Sequence, residues 1–241
     1  MRTIRALSVL LCLIGASVLI GYTPSSLAAQ GASGPRDKTA GEYAATLPKD
    51  VYPDSGSRLP AIKREDMNKA DQELYDEVVD PKRGRSAALM SPLGMRLHNP
   101  RLFRDTRQLT GPLRKSVYGP RLAELAILVT ARELNQQFEW TAHEDQARKA
   151  GLDQNIIDIV KYRKPVTGLG EKEAAIIQLG REAVGKRKVS SDTFARALKL
   201  FGKEGLLDLA SLMGYYASTA VLLETFDQHL RPDQKPLLPI P

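Results

Sequence analysis

Apolar residues recur three and four positions apart from Ile62 to near the C-terminus, the spacing that lines one face of an α-helix. In KADQELYDEVVD, Ala70, Leu74, Tyr75 and Val78 share one stripe, which stops at Asp80-Pro81. A helix start follows at Asn99-Pro100, where asparagine can cap and proline fits the first helical position. Gly119-Pro120 opens RLAELAILVTARELN, whose apolar face is Leu122, Leu125, Ala126, Val129 and Leu134, and Asn135 is expected both to end that helix and to cap the next. The next helix, QQFEWTAHEDQARKA, is closed by Gly151, and Asp153 or Asn155 begins NIIDIVKY. GLGEKEAAIIQLGREAVG, SSDTFARALKLF and GLLDLASLMGYYASTAVLLETFDQHL complete the series, with Ser190-Ser191 as a cap. No alternating runs bounded by hairpin turns occur, so the pattern predicts an all-α domain of about six to eight helices.

Outside this body the pattern fades. Residues 30–60 are rich in Gly, Pro, Ser and Ala and read as a flexible linker ahead of a helical domain at residues 61–230. PKRGRSAALMSPLGMRLHNP, after Asp80, reads as a long loop of a kind that often carries function. The tail at residues 231–241 holds four prolines and is expected to be extended.

The N-terminal ALSVLLCLIGASVLIG is uncharged, follows Arg2 and Arg5 and precedes SSLAA, the layout of a secretory signal cut near Ala29. Residues 1–29 are therefore expected to be a signal peptide, and the mature chain periplasmic or secreted with no stable membrane span. The apolar stretch is also long enough to serve as an uncleaved anchor. Cys12, the one cysteine, lies inside this segment. A cleaved chain then has no thiol, which excludes disulfides, thiolate nucleophiles, cysteine-ligated zinc and redox thiols together. The formal charge of +7 falls by two, to +5, with Arg2 and Arg5. The basic clusters KRGR at 82–85 and GKRKV at 185–189 have no interleaved aromatics, so no nucleic-acid partner is expected.

Glu139 and His143 stand at i and i+4, which brings a carboxylate and an imidazole together on one helix face. A carboxylate bonded to imidazole fixes its tautomer and raises its basicity, as proton transfer near neutral pH requires. The plain alternative is a surface ion pair worth about a few tenths of a kcal/mol. Phe138 and Trp140 flank Glu139 and argue for burial, and its place in the first helical turn favours the ionised carboxylate. Glu124, on the preceding helix, is expected near the same point. His98 reads as a loop side chain, His229 as a helix-end cation without a role, and Tyr215 and Tyr216 as core residues whose hydroxyls can donate if they face a pocket.

RLAELAILVTARELNQQFEWTAHEDQARKAGL resembles the carboxymuconolactone decarboxylase family, a helical superfamily that includes the alkyl hydroperoxidase D-like proteins. The likeness runs from about Asn99 to His229 and is sharp over Arg121–Leu152: Glu124 in AELAIL, Glu139 and His143 in FEWTAH, and AGL at Ala150–Leu152. The peroxidase branch has a Cys-x-x-Cys pair whose second cysteine stands four residues before the histidine; here those positions are Gln136 and Glu139. The resemblance implies an alkyl hydroperoxidase D-like bundle, a ring-forming homo-oligomer (trimer or hexamer), and kinship with the decarboxylase branch, without thiol peroxidase activity.

In the family's name reaction a lactone bearing a carboxylate loses CO2, the electrons spread to the lactone carbonyl, and carbon is then protonated, with no metal and no organic cofactor. Carried onto this chain, the resemblance implies catalytic Glu124, Glu139 and His143: His143 supplies the proton, Glu139 orients it and Glu124 relays protons from water. Arg101, Arg121 or Arg132 would hold the carboxylate of a small carboxylate or lactone substrate, and Tyr216 would donate to the oxyanion. Two other readings stay open: a non-catalytic helical oligomer that binds a small organic acid, and a metal site built from Glu124, Glu139 and His143. Ring-cleavage pathways that make carboxymuconolactone are cytoplasmic, so an exported chain points to a different substrate.

Overall fold

Helix α5 (Gly119–Glu133) forms the axis of the molecule. The sequence predicts one apolar stripe on it, yet every residue from Leu122 to Arg132 is buried, because α6 (Gln137–Lys149), α7 (Gln154–Lys161), α8 (Glu171–Gly180) and α9 (Ser191–Thr225) all pack against it. Leu125, Ile127, Leu128, Trp140, Ile157 and Leu209 are among the fully buried side chains of this core. Each contributes about 1.5–3 kcal/mol by leaving water. This computed structural model describes residues 39–83, 87–116 and 118–240. The signal segment with Cys12, residues 30–38 of the expected linker, and Arg85 of the KRGR cluster lie outside the described residues.

Local chemistry sets the boundaries. Asn135 ends α5 in the left-handed region at φ 52°, as expected, but it does not cap α6. Its Oδ1 is taken by Arg132 Nη1 at 2.6 Å, and Gln136 caps instead, accepting from the Phe138 N–H at 2.9 Å. Gly151 closes α6 at φ 86°, and Asp153 precedes α7 without a side-chain cap. Beyond α8 the chain widens into a π-helical turn, Arg181–Lys186. Ser190 caps α9, accepting from the Thr193 N–H. Gly202, at φ 69° and ψ −179°, breaks α9 into the two segments that the sequence predicts. The second of these ends at Thr225 and not at Leu230, so His229 lies past the helix with its N–H bonded to the Gly56 carbonyl at 2.8 Å. It has no part in a helix dipole.

A smaller apolar cluster joins α2 (Lys69–Val78), α3 (Pro92–Arg96) and α4 (Pro100–Leu113) through Leu74, Val78, Leu97 and Phe103. The stretch after Asp80, expected as a loop, contains a 3-10 turn at Ala88–Met90 and helix α3. Pro92 and Gly94 hide the helical period there. Ser91 caps α3 through the Leu93 N–H at 3.2 Å, and Gly94 is needed because a Cβ would stand 2.4 Å from the Leu89 carbonyl oxygen. That close approach fixes where α3 presents Arg96.

The linker expectation is corrected over residues 39–60. Thr39 and Glu42 form a capping box on α1 (Ala40–Ala44), and Tyr52 bridges to Ser57. Arg58 N–H donates to the Phe226 carbonyl and Gln228 Nε2 to the Ser55 carbonyl, so the segment is bonded to the end of α9. Its order comes from backbone bonds and the buried Tyr43 and Val51, which leave no periodic signature. The tail beyond Leu230 has no helix; Leu238 is buried in the main core and the Leu237 N–H faces Thr141 Oγ1 at 3.4 Å. On α9, Leu206, Leu209, Leu212, Met213 and Leu223 are buried within the chain, whereas Leu207 and Val221 are 68% and 65% exposed.

Candidate functional site

A cavity of about 510 Å³ opens between α3, α6 and α9, with Arg114 after α4 and Arg231 of the tail on its walls. His143, Glu139, Tyr216 and Arg96 also line it. Glu124, on α5, stands behind this wall and touches it through His143 and Arg114. His143 Nδ1 lies 2.7 Å from Glu124 Oε2, and the other Glu124 oxygen accepts from Arg114 Nη2. Arg114 Nη1 donates to the Tyr216 hydroxyl at 2.7 Å, and the Tyr216 ring meets the His143 ring edge-on at a centroid distance of 5.1 Å. One buried carboxylate thus holds an arginine and a histidine. With Nδ1–H donated to Glu124, Nε2 is the ring nitrogen left for a ligand.

Burial works against the charge of Arg114, and the pull of Tyr216 and Glu124 together outweighs it, so its pKa is raised. The Tyr216 phenol is also pushed up, mainly by burial, against the opposing pull of Arg114. It therefore stays protonated. Its oxygen accepts from Arg114, which leaves its own hydrogen to donate into the cavity.

The expected Glu139–His143 pair is not formed. Geometry on α6 would allow it, but the imidazole turns to Glu124, and Glu139 Oε2 is buried with no hydrogen-bond partner among the described residues. Nor is Glu139 the anion expected from its place in the first helical turn. Desolvation raises its pKa to about 8, with the Arg96 guanidinium pulling the other way. A helix dipole worth roughly 1 kcal/mol is outweighed by burial of a charge without a donor. At neutral pH Glu139 is a neutral carboxylic acid.

None of the three candidate arginines lines this cavity. Arg101 is exposed and 3.7 Å from Asp105, Arg121 is paired with Glu173, and Arg132 is turned to Asn135. Each stands on a helix face that packs or is solvated elsewhere. Arg96, Arg114 and Arg231 take the places on the cavity wall, and sequence reasoning missed all three. Arg96 is buried, donating from Nη2 to Thr219 Oγ1 at 2.7 Å and lying 5.4 Å from the centroid of the Tyr215 ring. Its sequence signal was the Ser91-Pro92 helix start followed by a lone cation among apolar residues. Arg231 is paired with Asp233. No signal marked it.

A second buried acid on α6, Glu144, also escaped notice. It is buried and accepts from Trp140 Nε1 at 2.5 Å, from Lys161 Nζ at 2.9 Å, and from Arg148. It faces α7 and does not line the cavity. His98 bonds the Pro60 carbonyl through Nε2 at 2.9 Å. Among the described residues no group of three or more His, Cys, Asp or Glu side chains is placed to hold a metal ion, so Glu124, Glu139 and His143 do not form the ligand cluster weighed above.

The chain matches no known family profile and no curated protein. It is similar to one solved structure, the alkylhydroperoxidase AhpD core of an uncharacterized peroxidase-related protein from Ralstonia eutropha JMP134. That likeness has a TM-score of 0.57 at 17% identity and covers 72% of this chain and 92% of the other. This chain accordingly has an AhpD-like all-α fold.

Proposed function

We propose that the protein is a cofactor-free lyase, or a closely related enzyme, acting on a small carboxylate or lactone through proton transfer at His143. The observation that supports it best is the Glu124–His143 hydrogen bond on the wall of a cavity that also exposes arginine and a neutral acid. In the reaction a carboxylate leaves as CO2, the electron pair of the broken C–C bond moves through a conjugated double bond to a carbonyl oxygen, and a proton is added to carbon. Tyr216 donates to the developing oxyanion, and the protonated imidazole, its charge balanced by Glu124, delivers the proton. Arg114 holds the Glu124 carboxylate in place.

The resemblance to the decarboxylase branch supports this reading, as does the lack of cysteine beyond Cys12, which removes a dithiol peroxidase cycle. The proposal includes export of the mature chain, from its N-terminal sequence, and a homo-oligomer, for which the exposed Leu207 and Val221 leave an apolar face on α9. The test is incubation with unsaturated lactone acids in D2O. CO2 release with one deuteron fixed on product carbon is expected, reduced about 10²–10⁴-fold in His143→Ala. Equal turnover in His143→Ala would remove the reading.

A further inference from the structure

We infer that Arg96 and Glu139 together form a receptor for a small oxo or lactone acid bearing one carboxylate: Arg96 takes the anionic group, and the Glu139 carboxyl donates a hydrogen bond to the carbonyl oxygen. This rests on the reading of the cavity as a ligand site and asks nothing of turnover.

Two unmet demands face one space. Arg96 is buried on α3 and has no carboxylate partner among the described residues; its bonds go to Thr219 Oγ1 and, at 3.5 Å, to the Pro92 carbonyl. A guanidinium offers five N–H donors, and a buried charge without a counter-ion is costly. Glu139, on α6, is buried in the same wall with Oε2 unpartnered. The other charged and titratable groups around them are engaged: Arg114 and His143 by Glu124, Tyr216 by Arg114, Arg231 by Asp233, with Tyr215 edge-on to Tyr216. A ligand that satisfies both must bring an anion to Arg96 and a neutral acceptor to the Glu139 hydroxyl. A dicarboxylate would set a second charge against Glu139, and a simple ketone would leave Arg96 unpaired.

Binding and protonation are then linked. Arg96 opposes the burial that raises the Glu139 pKa to about 8, and an anion seated on Arg96 cancels that opposition. Glu139 holds its proton more tightly in the complex than in the free protein.

The experiment is calorimetric titration of the full chain with 4-oxopentanoate, pentanoate and 2-pentanone, from pH 6 to 10, in buffers of different ionisation heat. The oxo acid is expected to bind with affinity flat below about pH 8, falling toward tenfold per pH unit above it, with net proton uptake on binding at pH 9. Pentanoate is expected to bind about tenfold more weakly, the measure of one lost hydrogen bond. The ketone is expected not to bind. Glu139→Gln keeps a neutral donor, so its affinity should be independent of pH and its proton uptake abolished. Arg96→Met should lose both acids while Arg96→Lys retains them, with circular dichroism confirming the fold of each. No proton uptake in the wild type, equal affinity for pentanoate and the oxo acid, unchanged affinity in Arg96→Met, or no binding of the oxo acid at millimolar concentration would each overturn the inference. Binding with proton uptake but without turnover of any lactone acid would sink the lyase and leave the receptor standing. Turnover without proton uptake would do the reverse.

Discussion

His143 Nδ1 lies 2.7 Å from Glu124 Oε2, a carboxylate 19 residues away on a different helix, although Glu139 is only one turn distant on its own. The choice follows from what else each acid touches. Glu124 is buried with Arg114 as a charge partner on one oxygen and the imidazole on the other. Glu139 Oε2 has no partner among the described residues, and burial raises the pKa of Glu139 to about 8.

Removing Glu124 should therefore cost stability as well as function. Glu124→Ala leaves a partly exposed Arg114 and a buried His143 without their anion, for an expected loss of about 3 kcal/mol, at the low end of the range for a buried pair. Glu124→Gln, which keeps shape and an acceptor oxygen, should lose less than half of that. Urea denaturation of both variants at pH 7 checks the difference; equal losses would mean that packing and not charge holds the site.

Glu139 should make the fold weaker as pH rises. Its folded pKa of about 8 lies above its ordinary value of 4.5, so the native state binds more protons than the unfolded chain between those limits. The Glu139 contribution is undiminished below about pH 4.5, declines as pH rises, and is fully lost above about pH 8, by on the order of 4 kcal/mol. Glu139→Gln has no such slope. It is expected to match the wild type at pH 4 and to exceed it at pH 9, as read from denaturation midpoints. A variant less stable than wild type at pH 9 would show that Glu139 is ionised and paired.

The three buried acids of α5 and α6, Glu124, Glu139 and Glu144, should separate by role. Glu144 joins Trp140, Lys161 and Arg148 away from the cavity, so Glu144→Ala strands a buried lysine and is expected to cost about 3–5 kcal/mol. Oxo acid binding by the fraction that remains folded should be unchanged. Weakened binding in the folded protein would place Glu144 in the ligand site.

Much of this was legible in the sequence, and what was missed has physical causes. Three- and four-residue periodicity marks α2 and α5 to α9, since burial on one or more faces of a helix leaves that trace. The positions of Glu124, His143 and Tyr216 in one site follow from helices that the pattern reveals. The protonation of Glu139 does not, because desolvation depends on which elements close over it. The arginines fail for a related reason. Arg96, Arg114 and Arg231 enter from a Pro- and Gly-broken helix, a helix end and an irregular tail, where no period says which way a long side chain turns. The ordered residues 39–60 were missed because backbone bonds to Phe226 and His229 and the Gln228 side chain hold them and need no apolar stripe.

Gly94 tests whether α3 positions the anion site. A methyl there would stand 2.4 Å from the Leu89 carbonyl oxygen, so α3 must shift and carry Arg96 with it. Gly94→Ala is expected to lower stability by about 1–3 kcal/mol and to weaken carboxylate binding. Binding at wild-type strength would show that Arg96 is not held by this contact.

The most direct measurement uses the three histidines of the chain. His143 lines the proposed site, His229 lines an adjoining cavity of about 430 Å³ that shares Phe138, Arg231 and Gln234 with it, and His98 lines neither. In protein labelled with ¹⁵N-histidine, titration with 4-oxopentanoate is expected to move the ring signals of His143 alone, with the movement lost in Arg96→Met and the Nδ1–H signal of His143 displaced in Glu124→Gln. Movement at His229 with none at His143 would put the ligand in the other cavity and contradict the assignment of the Glu124–His143 pair as the working site.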